Sequence, residues 1–132
     1  MDINPVRFQS EQSDRAALRV PVPVDVFQLQ TTVGTVFTAR ADADFQIENL
    51  VAVNVTGTID YVTIYLVPSG GTAGVANTIV YQKEVPAKGG ITIFDKENVG
   101  LVQPGMTLEA LCGVNDAVNI YGHGYDYQGI YS

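Results

Sequence analysis

The stretch FQIENLVAVNV, residues 45–55, decides the fold class because apolar side chains recur at every second position along most of it. This period of two is typical of a half-buried β-strand, since successive side chains in a strand point to opposite faces of the sheet. The predicted solvent face carries mostly polar residues, namely Gln46, Glu48, Asn54 and Thr56. The predicted buried face carries the apolar ones, namely Phe45, Ile47, Val51, Val53 and Val55.

The same alternation recurs in short segments, of which DYVTIYLV, residues 60–67, is the clearest. Further candidate strands are VGTVFTA, TIVYQKEV, GITIFD, MTLEALCG and AVNIYGHGYDY. Segments rich in turn-forming residues separate them, such as TGT, PSGGTAG, PAKGG, VQPG and GVND. Helical spacing is scarce along the chain. The pattern predicts an all-β domain, an antiparallel β-sandwich of jelly-roll type.

The N-terminal part of the chain has a different character. Prolines interrupt VPVPVDVFQLQ, residues 20–30, so this segment is predicted to be extended or at a sheet edge and not a central strand. We therefore expect an extended N-terminal arm at residues 1–30 and the β-sandwich domain at residues 31–132. The arm carries an apolar stripe that either its own domain or a neighbouring chain must cover, formed by Val20, Val22, Val24 and Val26.

Length, charge and apolar content exclude several classes of function. A chain of 132 residues is long enough for one domain with a single core. Its net charge of −7 opposes binding to nucleic-acid phosphates. The first 20 residues hold no apolar signal segment, and no apolar run approaches the length of a membrane span. We expect a soluble chain that binds neither nucleic acid nor membranes.

The glycine-rich segment PSGGTAG, residues 68–74, is the place where the chain most resembles a phosphate-binding loop. A loop of that type needs a lysine followed by serine or threonine after its last glycine, and then a helix. Here Gly74 is followed by the residues VAN, so the lysine is missing. The segment is predicted to connect two strands.

The other reactive side chains also favour structural roles. Cys112, the only cysteine, excludes an internal disulfide and is expected to be a small buried thiol in a strand. His123, the only histidine, is expected at a surface or interface. The acidic pairs at residues 42/44 and 95/97 lack the further oxygen ligands that calcium requires. The sequence predicts no catalytic residue, no cofactor, no metal site and no enzymatic activity.

Tyrosines dominate the last candidate strand and its extension. Alternation places Tyr121, Tyr125, Tyr127 and Tyr131 on one face together with His123. Tyrosine combines a large apolar ring with a polar tip, a mixture that is enriched in protein contacts. Three interpretations stay open for this face: an edge of the core, a contact between subunits, or a carbohydrate-binding surface.

The order of features along residues 45–127 resembles small virion structural proteins of tailed bacteriophages. The similarity lies in VAVNVTGT, residues 51–58, in the strand that ends at VPSGGTAG, in GLVQPGMTLEALCG, residues 100–113, and in VNIYGHGYDY, residues 118–127. These are turn and strand patterns, and the resemblance supplies no catalytic residue. It implies a β-sandwich that is built into a phage particle.

Two classes of function follow from these observations. The first is a virion structural protein, most specifically a capsid decoration or cement protein on the phage head surface. Its expected partners are the major capsid protein or other virion proteins and further copies of itself, and a neck or tail protein is the alternative within this class. The second class is a carbohydrate-binding module that uses the tyrosines. A glycoside hydrolase has no support in the sequence, because the separation of two carboxylates is a spatial property.

Overall fold

A computed structural model describes residues 19–128 of the chain. This range contains β-strands and one short 3₁₀ turn at Val75–Asn77, and it holds no α-helix. The strands are β1 (Arg19–Gln28), β2 (Gly34–Thr38), β3 (Ala43–Asn54), β4 (Asp60–Val67), β5 (Thr78–Val85), β6 (Gly90–Phe94), β7 (Gly100–Val102), β8 (Thr107–Cys112) and β9 (Val118–Gln128).

The strands form two antiparallel sheets. One, called here the β9 sheet, has the order β1-β9-β3-β6, and β7 also pairs with β3 beside β6. The other, the β8 sheet, has the order β2-β8-β4-β5. With β6 and β7 taken as one interrupted strand, the chain forms two four-stranded sheets whose strand orders are those of a jelly roll. The predicted all-β antiparallel sandwich is confirmed.

The core fills the space between the two sheets. Phe45 of β3 is fully buried and stacks on Phe37 of β2, with ring centroids 4.1 Å apart and 27° between the ring planes. This contact joins the sheets, because the two aromatic rings belong to different layers. The largest of the other fully buried side chains are Leu29, Ile47, Leu50, Ile64, Leu108 and Ile120.

Strand β3 contains a β-bulge that changes which of its residues face the core. The bulge lies between Ile47 and Asn49 in the pairing with β9, so Glu48 is the extra residue. Before it the buried residues are odd-numbered, as predicted, and after it they are even-numbered. The predicted core positions of Val51, Val53 and Val55 are therefore wrong. The bulge turns these valines away from the core, and the positions that are buried instead are Leu50, Ala52 and Asn54.

Asn54 is a buried polar residue whose side chain is fully used. Its amide donates to the carbonyl oxygens of Thr58, at 2.8 Å, and Val85, at 3.1 Å. Its oxygen accepts hydrogen bonds from the backbone amide and the hydroxyl of Thr56. The side chain thus ties the β3–β4 turn to the end of β5, which explains why an amide is stable in an apolar core.

Asp60, at the start of β4, holds a second connection in place. Its carboxylate is 3% exposed and accepts hydrogen bonds from the backbone amides of Gly113 and Val114, both at 3.1 Å. It also accepts one from Tyr61, at 2.8 Å. These contacts link the beginning of β4 to the turn after β8, and three amide donors stabilise the charged carboxylate there.

The predicted N-terminal arm lies only partly within the described residues. Residues 1–18 are outside them, and residues 19–28 form β1, which pairs with β9 of the same chain at the edge of the sheet. The predicted arm extends to residue 30, and the part of it that forms β1, residues 19–28, is a strand of the sandwich. The physical reason is that an edge strand needs hydrogen-bond donors on one side only, so prolines do not prevent its pairing.

Candidate interaction surface

The outer face of β9 carries the predicted tyrosines. Tyr121 is 40% exposed, His123 is exposed, and Tyr125 and Tyr127 are half-buried on this face. Residues of opposite parity, including Ile120 and Gly124, are buried beneath them. These side chains therefore lie on the outer face of the sheet, on the side away from the core between the two sheets. Tyr131 lies outside the described residues.

Strand β1 borders the tyrosines on one side and adds residues that sequence reasoning did not assign to the site. Pro21 pairs with Tyr125 and Pro23 with His123, so both proline rings lie on the outer face. The guanidinium of Arg19 lies over the ring of Tyr125, 4.1 Å from its centroid, as a cation–π contact. The sequence VPVPV already indicated that the prolines lie on this face, because they alternate with the valines that face the core.

Strands β3 and β7 border the tyrosines on the other side. Asp44 pairs with Tyr127, and Gln46 lies between Tyr125 and Leu101 of β7. Leu101 is 49% exposed, so an apolar side chain extends the surface beyond β3. We call the outer surface of β1, β9, β3 and β7 between the rows of Arg19 and Tyr121 the tyrosine face. Three strands of about seven residues and the three residues of β7, at spacings of about 4.8 Å between strands and about 3.4 Å along them, give it about 390 Å².

Two glycines of β9 bring the tyrosine face close to β3. A Cβ atom on Gly122 would overlap the carbonyl oxygen of Asn49, and one on Gly124 would overlap that of Gln46. Both contacts flank the β3 bulge, which lies between Ile47 and Asn49. Glycine is therefore required at these positions for steric reasons, since the opposing atoms belong to the backbone and cannot turn away.

The valine stripe and the tyrosines lie on opposite faces of the β9 sheet. Val22 and Val24 pair with Gly124 and Gly122 on the core side, and Val24 is only 2% exposed. Val26 leaves the stripe because a β-bulge between Val24 and Phe27 turns it outward, where it is 66% exposed. The chain's own sandwich thus covers the middle of the stripe, and Val20 stays 40% exposed at its end. The predicted interface residues do not form one continuous site.

The edges of the sandwich are poorly suited to pairing with another strand. On β1 the prolines lie at alternate positions and remove outward-pointing backbone donors. On β5 the backbone of Gln82 has a positive φ of 47°, and the pairing with β4 is irregular nearby. The edge opposite β1 is split between β6 and β7, and β2, the edge opposite β5, pairs irregularly with β8 between Thr35 and Phe37. Contact with partners through a sheet face is favoured over strand addition.

An apolar groove opens between the sheets beside this split edge. It has a volume of about 210 Å³ and is lined by residues that include Ile47, Leu66, Ile79, Phe94 and Leu101. Its lining offers no charged side chain, so it has no group that would orient a polar ligand or activate a bond.

The chemistry of the described residues does not assemble a reactive site. No three His, Cys, Asp or Glu residues of the described range lie close enough to hold a metal ion. Cys112 is buried, its Sγ donates to the carbonyl oxygen of Val114 at 3.0 Å, and burial raises the pKa of its thiol. Within residues 19–128 there is also no helix with the length and apolarity to cross a membrane.

Comparison with known proteins gives similarity of fold. No protein-family model matches the chain, and no curated protein sequence matches it significantly. A chain from Bacillus endospore appendages, a family of disulfide-linked pili, superimposes with a TM-score of 0.53 at 18% identity, covering 83% of this chain and 88% of that one. At this identity the likeness establishes a shared fold and nothing more.

Two structures of infectious bursal disease virus are less similar. The virus of the Gx strain gives a TM-score of 0.42 at 19% identity over 84% of this chain, and the VP2 subviral particle gives 0.37 at 16% identity over 82%. The aligned region spans 32% and 31% of those viral chains, about a third of their length.

Proposed function

We propose that this chain is a non-enzymatic structural protein that binds other subunits through the tyrosine face. The observation that carries the proposal is the outward orientation of three tyrosines in the middle of a sheet, where a monomer has no need of them. Tyrosine and arginine are enriched at the centres of protein interfaces, and the tyrosine face has both. The irregular strand edges favour contact through a face of a sheet, and the tyrosine face combines aromatic rings with the guanidinium of Arg19.

The more specific proposal is a decoration or cement protein on the head of a tailed phage. It rests on the resemblance of the strand and turn pattern to small phage virion proteins and on a jelly-roll fold whose residues 19–128 assemble no metal-binding cluster. A compact sandwich that presents one broad aromatic face can cover a junction between capsid subunits. Burial of that face at many equivalent positions would stabilise the shell by repetition.

A protein partner is favoured over a carbohydrate by one contact. The guanidinium of Arg19 lies against the ring of Tyr125, so that face of the ring is not open for a sugar to stack on. A cation held in this way is suited to a carboxylate on a partner protein, because the stacked guanidinium keeps its hydrogen-bond donors free.

The test has two stages. Antibodies against the purified chain should label particles released from cells that carry its coding sequence, with label on the heads. Label confined to necks or tails would support the alternative structural role. The carbohydrate-binding alternative would be supported if the particles carried no label and the chain bound glycans in a way that Tyr125→Ala abolishes.

The second stage compares two exposed tyrosines in binding to empty heads. Tyr121→Ala, in the tyrosine face, should weaken binding about tenfold or more, because central aromatic residues dominate interface energetics. Tyr81→Ala is the matched control, since Tyr81 is 73% exposed on β5 of the other sheet. Equal binding by both variants and the unmodified chain would contradict the proposal.

A further inference from the structure

The apolar groove between the sheets, beside the split edge, is filled by no side chain of residues 19–128. The most exposed of its lining residues are Ile79 of β5, 44% exposed, and Leu101 of β7, 49% exposed. Leu66 and Phe94, which also line it, are half-buried. Contact of this much apolar surface with water is unfavourable. We therefore expect the groove to take an apolar occupant.

The size and chemistry of the groove indicate what that occupant is. Its volume of about 210 Å³ is larger than the roughly 150 Å³ of an engineered apolar cavity that binds benzene, so it has room for one aromatic ring. The lining consists of isoleucine, leucine, valine, phenylalanine and glycine, whose side chains carry no polar atom. A hydroxyl group placed there would find no side chain as a hydrogen-bond partner. A phenyl ring fits the groove better than a phenol.

The chain itself supplies such a ring. Four of its five phenylalanines lie in or against the core, namely Phe27, Phe37, Phe45 and Phe94. The fifth, Phe8, stands in INPVRF, residues 3–8, and is the only aromatic residue of residues 1–18. We propose that the Phe8 ring of the same chain occupies this groove, with Val6 against its rim. The proposal goes beyond the function proposed above and does not depend on it.

The chain before β1 is long enough to place Phe8 in its own groove. Arg19, the first residue of β1, lies in the row of Asp44, and Val102 of the groove pairs with the adjacent Phe45. The start of β1 and the groove are therefore at the same end of the sandwich, three strand spacings or about 14 Å apart. The stretch from Phe8 to Arg19 can span about 36 Å when extended. Because a tethered ring has an effective concentration in the millimolar range, it should fill its own groove before that of a second copy in dilute solution.

The charges beside the groove suit the segment that carries Phe8. Phe94 and Gly100, which line the groove, flank the turn between β6 and β7. The charged residues of that turn are two acids and one base, namely Asp95, Glu97 and Lys96. Arg7, next to Phe8, would lie beside this excess of negative charge.

The C-terminal residues are a poorer candidate for the groove. Tyr131 lies three residues after Gln128, the last residue of β9, which gives it a reach of about 10 Å. That reach equals the distance from β9 across β3 to β7 and leaves nothing for entry between the sheets. The tyrosine hydroxyl would also lack a side-chain partner in the groove.

The test uses the fact that the chain contains no tryptophan. Phe8→Trp introduces a single indole, whose emission shifts to shorter wavelength in an apolar site. The matched control is Gln12→Trp, between Phe8 and β1, which should emit at the longer wavelength of an indole in water. Phe8→Trp should emit at shorter wavelength than this control, and the shift should not change on dilution.

A second substitution assigns the signal to the groove. In the Phe8→Trp chain, Ile79→Asp places a carboxylate at the groove and should return the emission to that of the control. Leu101→Asp should do the same from β7. Val75→Asp is the matched change, because Val75 is 95% exposed and does not line the groove, and it should leave the emission shifted. Circular dichroism shows whether each variant is folded.

Nuclear Overhauser contacts in the unmodified chain decide the case if the indole is too large for the groove. The ring protons of Phe8 should contact the methyl groups of Leu66 and Leu101, and a mixture of isotope-labelled and unlabelled copies separates contacts within one chain from contacts between copies. Absence of these contacts would overturn the inference. Contacts found only between copies would also overturn it, because the groove would then hold Phe8 of a second copy.

Discussion

Replacement of Gly122 by alanine should destabilise the sandwich more than a single methyl group usually does. The added Cβ would overlap the backbone carbonyl oxygen of Asn49 on the neighbouring strand. Because that oxygen belongs to the ladder between β3 and β9, the two central strands must separate locally. Overpacking of this kind costs about 1–3 kcal/mol, and each weakened ladder hydrogen bond adds about 1 kcal/mol. We expect a total loss of about 3 kcal/mol in the free energy of unfolding.

The assay is equilibrium unfolding in urea. With a denaturant slope of about 2 kcal/mol per molar, a loss of about 3 kcal/mol lowers the midpoint by about 1.5 M. Gly57→Ala is the matched control, because no atom lies within 4 Å of the position that its Cβ would occupy and its φ is not positive. That variant should unfold within about 0.5 kcal/mol of the unmodified chain or be slightly more stable. A midpoint for Gly122→Ala that equals the control, at the same slope, would refute the steric argument.

Three further perturbations address buried polar groups and the thiol. Asn54→Ala should lower the free energy of unfolding by about 2–4 kcal/mol, because it leaves buried carbonyl oxygens unpaired. Its control, Asn49→Ala on the outer face, should lower that free energy by less than about 1 kcal/mol. Similar urea midpoints for the two variants would contradict the prediction. Asp60→Ala removes the acceptor of three backbone amides and should lower the free energy of unfolding by about 2–3 kcal/mol. It should also speed amide hydrogen exchange at residues 113 and 114. Unchanged exchange at these two residues would contradict the role of Asp60 in joining β4 to the turn after β8. Burial, and secondarily the nearby Asp60 carboxylate, raises the pKa of Cys112 above its ordinary 9.0. Folding therefore favours the neutral thiol, and the stability that this preference contributes is lost as the pH rises above 9.0. A native thiol that is alkylated at pH 8 as fast as the thiol of the urea-unfolded chain would contradict the protection of Cys112 by burial.

The strand pattern of this chain could be read from its sequence because most strands alternate over their whole length. The stretches around Val62 and Leu108 each gave one strand, and the turn-forming residues between them marked the connections. Strand β7 was missed because three residues, Gly100–Val102, are too few to show a period and stand beside the turn VQPG. The bulge at Glu48 was missed because the residues that face it on β9, Gly122 and Gly124, lie more than 70 residues away in the sequence.

The candidate surface was foreseen only in part. Alternation showed that Tyr121, Tyr125 and Tyr127 share a face, but the opposite face holds Gly122 and Gly124 and offers no apolar stripe to identify it as the core side. The core side is marked instead by Val22 and Val24, which pair with those glycines across β1 and β9, and a single sequence does not show this pairing. The contributions of Arg19 and Leu101 require the same pairing information, which a single sequence does not contain.

The single thiol of this chain limits how its copies can be joined. One cysteine per copy allows at most a covalent pair, so a continuous cross-linked filament cannot be built from it, in contrast to the disulfide-linked pili with which it shares a fold. Because Cys112 is enclosed by its own sandwich, even that pair would require local unfolding. Assemblies of this protein should therefore be held by non-covalent contacts and be indifferent to reductants.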